Sequence, residues 1–265
     1  MTHTTRLALI ALAAAGLLGA AACATAPGPD SGFLSSYQGL AERDGTLRVG
    51  IRDRADGARL EQVQLIYLEP AVFYPAGQVG VDLSREEREA VLNEVDRQFC
   101  YAFSTRYSLS PTPRPDAARV RVAVTGVEAT GRAASTVSAA AGYFIPGPIS
   151  LRPGGLGGLA GEAELVMQDS QLAAITWTRR ANAVGMDSPS LSRVGDALQF
   201  AAPFGSDAAR SLTPEDRAQY ALPDPDPCAR FGPRFRPLGT VAGMLSPVYV
   251  PQMTGAGSAP RDPED

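Results

Sequence analysis

The stretch that most limits what this chain can become is Ser84–Phe103. Ser84-Arg85-Glu86-Glu87 matches S-x-x-E, the capping box that opens a helix by satisfying two backbone donors reciprocally. Behind it Val91, Leu92, Val95, Phe99, Ala102 and Phe103 recur at helical spacing. Glu86, Glu89, Glu94 and Arg97 fall away from that face, with Arg88 the exception on the apolar side. A helix with one broad apolar face must bury it against another layer.

The rest of the chain supplies strands for that layer. Leu47, Val49 and Ile51 alternate with Arg48, Gly50 and Arg52, and Gln62–Glu69 reads as a second strand ended by Pro70. "AVFYPAGQVG" follows as a loop or edge segment. Arg119–Val127 alternates Val120, Val122 and Val124 with polar or small partners. Ala163–Met167 and Ala173–Ala181 predict a hairpin around Asp169-Ser170, carrying the single tryptophan, Trp177. Ser190–Leu212 predicts a second helix interrupted near Pro203, followed by a short turn at Thr213-Pro214-Glu215. This order predicts an α+β fold. A mixed or antiparallel sheet carries two main helices on one face, and a Pro/Gly-rich C-terminal tail follows.

The N-terminus has its own logic. Met1–Arg6 carries one positive charge, and Leu7–Ala22 is charge-free, Ala- and Leu-rich and closes on small residues before Cys23. That is the layout of a secretory signal. A membrane-spanning helix needs about 20 strongly apolar residues, whereas this run is Ala-rich and stops at Pro27-Gly28-Pro29. "LLGAAAC" resembles the bacterial lipobox, in which the cysteine is lipidated and becomes the new N-terminus. Ala20 stands where Leu is most typical, and Ala24 after the cysteine resembles the outer-membrane-sorted class. An ordinary signal cut at an A-x-A site over Ala20–Ala22 also fits, and would leave Cys23 a free thiol.

The expected division is a signal peptide over 1–22, a lipidated tether over 23–30, one α+β domain over 31–221, and an extended or partly disordered tail over 222–265. Within the domain, 133–161 reads as a Gly-rich apolar insertion carrying Tyr143 and Phe144. An apolar loop of that length marks either an interface or a flap over the core edge. In "SGFLSSYQGL", Phe33, Tyr37 and Leu40 share a brief helical stripe. It either docks on the body or meets a partner. Phe33, Tyr37, Tyr143 and Phe144 are therefore the candidate partner surface.

Composition excludes several chemistries. The single histidine is His3, in the leader, and all 24 basic residues are arginine. Ser-His-Asp and Cys-His nucleophile systems cannot be assembled without a histidine. A P-loop lacks its lysine, and the cysteines are too few for a thiolate zinc site. Loss of Arg6 with the leader moves the formal charge from −4 to −5, which argues against nucleic-acid binding. No metal, cofactor or catalytic residue is assigned. Cys100 and Cys228 make an even pair for an oxidising compartment. Cys100 sits beyond the flank of the helical face, within reach of a passing tail. One disulfide is expected, and two separate thiols are the alternative.

Other patterns fail on context. Gly155-Leu156-Gly157-Gly158-Leu159-Ala160 matches G-x-G-x-x-A but precedes a strand, whereas a dinucleotide fingerprint follows one. Arg179-Arg180 reads as a solvated face, and Asp224 and Asp226 alternate with prolines and form no calcium loop.

The ordered set "SGFLSSY", "LIYLEPAVFYP", "SREEREAVLNEV", "ARVRVAVTGVEAT", "STVSAAAG", "GEAELVMQDS" and "TRRANA" resembles a family of Gram-negative lipoproteins of uncharacterised function, whose members begin S-G-F-L-x-x-Y shortly after a lipobox cysteine. The likeness runs from Ser31 to Leu212. It implies an envelope lipoprotein and transfers no catalytic residue. The expectation is a non-enzymatic outer-membrane lipoprotein facing the periplasm, held by its lipid anchor, that binds or supports an envelope component. A carboxylate-based hydrolase and a carrier of an apolar ligand are the alternatives.

Overall fold

The computed structural model describes residues 25–44, 46, 48–130, 150–151, 157–181, 184–185, 190, 192–234 and 251. Its fold is α+β: a mixed eight-stranded sheet with two long helices on one face. The strands are β1 (Ala41–Glu42), β2 (Val49–Ala55), β3 (Leu65–Leu68), β4 (Val72–Phe73), β5 (Ser108–Ser110), β6 (Ala118–Glu128), β7 (Ser150–Leu151), β8 (Gly158–Met167), β9 (Ser170–Arg180) and β10 (Val184–Gly185). The helices are α1 (Gly57–Leu60), α2 (Arg85–Phe103) and α3 (Gly195–Ser211). Spatial order in the main sheet is β1-β2-β9-β8-β6-β3-β5, with β4 also along β6. β3 pairs parallel with β5 and β6, and β4 parallel with β6. The other pairs are antiparallel, and β7 and β10 make a separate two-stranded ribbon.

Local chemistry accounts for the main elements. Both halves of the capping box form at Ser84 and Glu87. Val91, Val95, Phe99 and Phe103 are buried in one core with Val120, Val122 and Val124 of β6 and Ile175 and Trp177 of β9. α3 packs on both α2 and the sheet, with Phe204 edge-on to Phe99 at 5.0 Å and tilted on Trp177 at 5.2 Å. Gly161 makes room for it: a Cβ there would sit 2.5 Å from the Phe204 ring.

Several expectations are corrected. α3 runs unbroken through Pro203 and starts at Gly195 rather than Ser190. Burial of Phe200, Ala201, Phe204 and Ala208 holds it across a residue that brings no backbone donor. The hairpin turns at Gln168-Asp169, both at positive φ, one residue earlier than expected. Its first strand begins at Gly158, so the end of the presumed 133–161 insertion belongs to the sheet. Glu94 and Arg97 do not face solvent; they are buried as a 2.7 Å pair on α2. Tyr143 and Phe144 lie outside the described residues, as does Cys23.

The expected tail is docked as far as Arg234. Cys100 and Cys228 are joined, with Cα atoms 5.8 Å apart. Phe231 is buried beside them. The Arg234 guanidinium grips Asp226 through two 2.7 Å bonds and lies over the Tyr101 ring at 4.5 Å.

Candidate functional site

Alternation along β8 sends Leu159, Gly161, Ala163 and Leu165 toward the helices, and Ala160, Glu162 and Glu164 to the opposite face. β8 lies between β9 and β6 in the middle of the sheet, so both glutamates stand far from an edge. Their cross-strand partners are Thr176 and Ala174 on β9, and Ala123 and Arg121 on β6. An open antiparallel sheet would leave such a face to water. Here Glu162 is 2 % exposed and Glu164 is fully buried.

The N-terminal segment covers them. Residues 26–40 cross this face as a strap, and each of its distinctive residues has a seat. Ser31 donates to Glu162 from both its N–H (3.0 Å) and its Oγ (2.7 Å). Ser35 does the same to Glu164, at 2.8 and 2.9 Å. The Tyr37 hydroxyl donates to Glu162 Oε2 at 2.6 Å and accepts from the N–H groups of Gly32 and Leu34. Burial raises the Tyr37 phenol above its ordinary pKa, and the bond to Glu162 adds to that shift. Gly32 sits at φ +90°, a conformation that favours glycine. Phe33 and Leu34 form a small second core with Ala123 and Ala174. The Phe33 ring lies under the Arg121 guanidinium at 4.8 Å and meets Tyr74 edge-on at 5.5 Å. Arg121 also pairs with Glu164, and Gln171 Nε2 donates to Glu164 at 2.7 Å.

Phe33 and Tyr37 therefore do not form an outward surface for a partner. Their ring contacts and hydroxyl are spent on the sheet, because two buried carboxylates need donors, and the strap supplies those of Glu162 and part of those of Glu164. The docked segment also starts earlier than the expected boundary at Ser31. Gly28 N–H donates to Thr178 Oγ1 at 3.1 Å, Arg52 pairs with Asp30, and a Cβ on Gly50 would meet the backbone of Ala26 at 2.5 Å. The stretch read as tether lies on the sheet from Ala26 onward.

Beside the strap is a cavity of about 300 Å³, walled by Gly28–Ser31 on one side and by Pro75, Thr125, Glu162, Thr176 and Thr178 on the other. Glu164 does not reach it. The helix face holds a second buried carboxylate cluster, with Asp196 accepting from Thr130 Oγ1 (2.9 Å) and Gly157 N–H (2.8 Å). That cluster ties the end of β6 and the start of β8 to the first turn of α3, and Gly157 opens a strand there rather than a nucleotide-binding helix. Arg179 lies over Phe200 and Arg180 pairs with Glu128.

Sequence reasoning passed over Glu162 and Glu164. A glutamate in an alternating strand reads as solvent-facing, and nothing local announces that the N-terminus returns to cover it. Two signals were present: the i, i+2 glutamates in "GEAELVM", and Arg121 in the neighbouring strand.

Fold and site together define a class: a two-layer α+β protein whose sheet carries helices on one face and its own N-terminal strap on the other. The chain belongs to the family described as protein of unknown function (DUF3313), whose family model matches residues 29–208. The matched span begins within the strap and takes in both glutamates. No curated protein matches the chain. Among solved structures, it is similar to a PelC dodecamer from Paraburkholderia phytofirmans in a leucine-to-methionine variant, at 10 % identity, over 62 % of this chain and 97 % of that one, with a TM-score of 0.35. The PelC dodecamer in a second crystal form is similar at 11 % identity over the same shares, with a TM-score of 0.33.

Proposed function

We propose that this protein is a non-catalytic lipoprotein of the outer membrane, facing the periplasm, whose body binds or supports another envelope component close to the membrane surface. The observation that carries this reading is the strap. Cys23 is three residues from Ala26, where the chain is already on the sheet, and three extended residues span at most about 11 Å. An acylated Cys23 would hold the body against the bilayer interface instead of on a leash. Among the described residues no helix is long and apolar enough to cross a membrane.

The site favours holding over hydrolysis. A glycosidase-type pair needs two carboxyl groups open to the same bond. Here Glu164 is closed off by Ser35, Gln171 and Arg121, and the two carboxylates at the cavity are already engaged, Glu162 by Ser31 and Tyr37 and Asp30 by Arg52.

The test is cell fractionation with intact-mass measurement of the native chain and of Cys23→Ser. The native chain is expected in the outer-membrane fraction with the mass of a triacylated N-terminus, and Cys23→Ser in the soluble periplasm or as an uncleaved precursor. An unmodified native chain in the soluble fraction would overturn the proposal.

A further inference from the structure

We propose that the cavity between strap and sheet is a binding site for a primary ammonium group, held by the Glu162 carboxylate and the Thr176 hydroxyl. The argument starts from charge. Buried carboxylates are normally paired with a cation. Glu164 has Arg121. Among the described residues no arginine forms an ion pair with Glu162, whose donors, the Ser31 N–H, the Ser31 Oγ and the Tyr37 hydroxyl, are all neutral. An ionised carboxyl group offers about four acceptor positions, and those donors occupy three of them. The other carboxylate at the cavity wall, Asp30, is paired with Arg52. One uncompensated negative charge therefore borders an open space.

The second observation is independent of charge. Thr176 stands directly opposite Glu162 on β9 and lines the same cavity. It is only 3 % exposed, and its Oγ1 has no hydrogen-bond partner. A buried hydroxyl without a partner is destabilising until something satisfies it. Thr178 Oγ1, already accepting from Gly28, lies along the same row. An ammonium group has three donors and no acceptor. It can give one to Glu162 and one to Thr176, and the third is left for the open side. The Pro29 and Pro75 rings supply apolar wall for a short carbon stem. An anion would meet Glu162 with no compensating cation. The volume is at the small end for ligand pockets, which begin near about 300 Å³.

A third of the cavity wall is strap, so an occupant would bridge residues 28–31 to the sheet and fasten the strap. This site stands whether or not Cys23 is acylated, and its test uses binding alone, so its failure would leave the anchoring proposal intact.

The ammonium could belong to a free amine or to a lipid headgroup, and the probes separate these. The purified full chain is titrated calorimetrically with ethanolamine and with glycerophosphoethanolamine, using ethylene glycol as the control that lacks the charge. Binding of at least one amine is expected, with the tighter one identifying the source, together with slower amide exchange over residues 28–31. Glu162→Gln should weaken binding by about tenfold or more, the scale of a charged hydrogen bond, and Thr176→Val by about fivefold. Glu162→Gln also loosens the strap, so Thr176→Val, which removes no existing hydrogen bond, is the variant certain to test the site in a folded protein. Amines that bind no better than ethylene glycol, or that bind Thr176→Val as well as the native chain, would overturn the proposal.

Discussion

Replacing Tyr37 with phenylalanine deletes one oxygen and keeps the ring, so it isolates what the strap's polar seat contributes. The hydroxyl makes one charge-assisted bond, to Glu162 at 2.6 Å, and accepts from two backbone amides of the strap. Hydrogen bonds to charged groups contribute about 1.5–3 kcal/mol net. The Gly32 amide is at an exposed residue and can turn to water, so its loss adds little. Glu162 keeps both donors from Ser31. The Leu34 amide, at a buried residue, also loses its acceptor, so the net cost is at least about 2 kcal/mol, assigned to the strap rather than to the helix-side core. Burial of Phe33 and Leu34 contributes about 3–6 kcal/mol and keeps the strap down most of the time. Opening should nonetheless become at least roughly thirtyfold more frequent. Hydrogen exchange followed by mass spectrometry reads this directly: peptides covering residues 28–38 should lose that protection, while those from α2 and β9 stay unchanged. Unchanged exchange over the strap would refute the reasoning, as would a uniform loss across the whole molecule.

Reduction of the Cys100–Cys228 bond opens a loop of sequence separation 128, for which chain entropy gives a loss of about 5 kcal/mol as an upper figure. The urea midpoint should fall markedly in reductant, and an unchanged midpoint would mean that Phe231 and the Arg234–Asp226 pair hold the tail unaided. Alkali should also destabilise the fold. Burial raises the phenols of Tyr37, Tyr101 and Tyr107 above the ordinary 10.0. Each folded phenol keeps its proton to higher pH than the unfolded one, so its contribution is complete below pH 10 and is lost as pH rises through the raised value. Thermal unfolding followed across that range should show stability falling together with the appearance of phenolate absorbance, and flat stability above pH 10 would contradict the burial of these rings.

Elements whose cause is local were legible from the residues alone. The capping box at Ser84 and Glu87 and the apolar stripe behind it define α2, because both involve groups within one or two helical turns. The alternation of Val120, Val122 and Val124 defines β6 for the same reason. The absence of lysine, and a single histidine confined to position 3, argue against whole classes of chemistry without any structure. Periodicity, however, reports which residues share a face and not what covers that face. Glu162 and Glu164 share one, and only the return of Ser31, Ser35 and Tyr37 from 125 or more residues away turns it from a wet surface into a second interior. Pro203 looks like a break until Phe200 and Phe204 are seen packed on both sides of it. Cys100 is reachable from its place on the helix, yet the path that brings Cys228 to it belongs to the tail. In each case the deciding energy is a contact between segments distant in sequence, which no local pattern records.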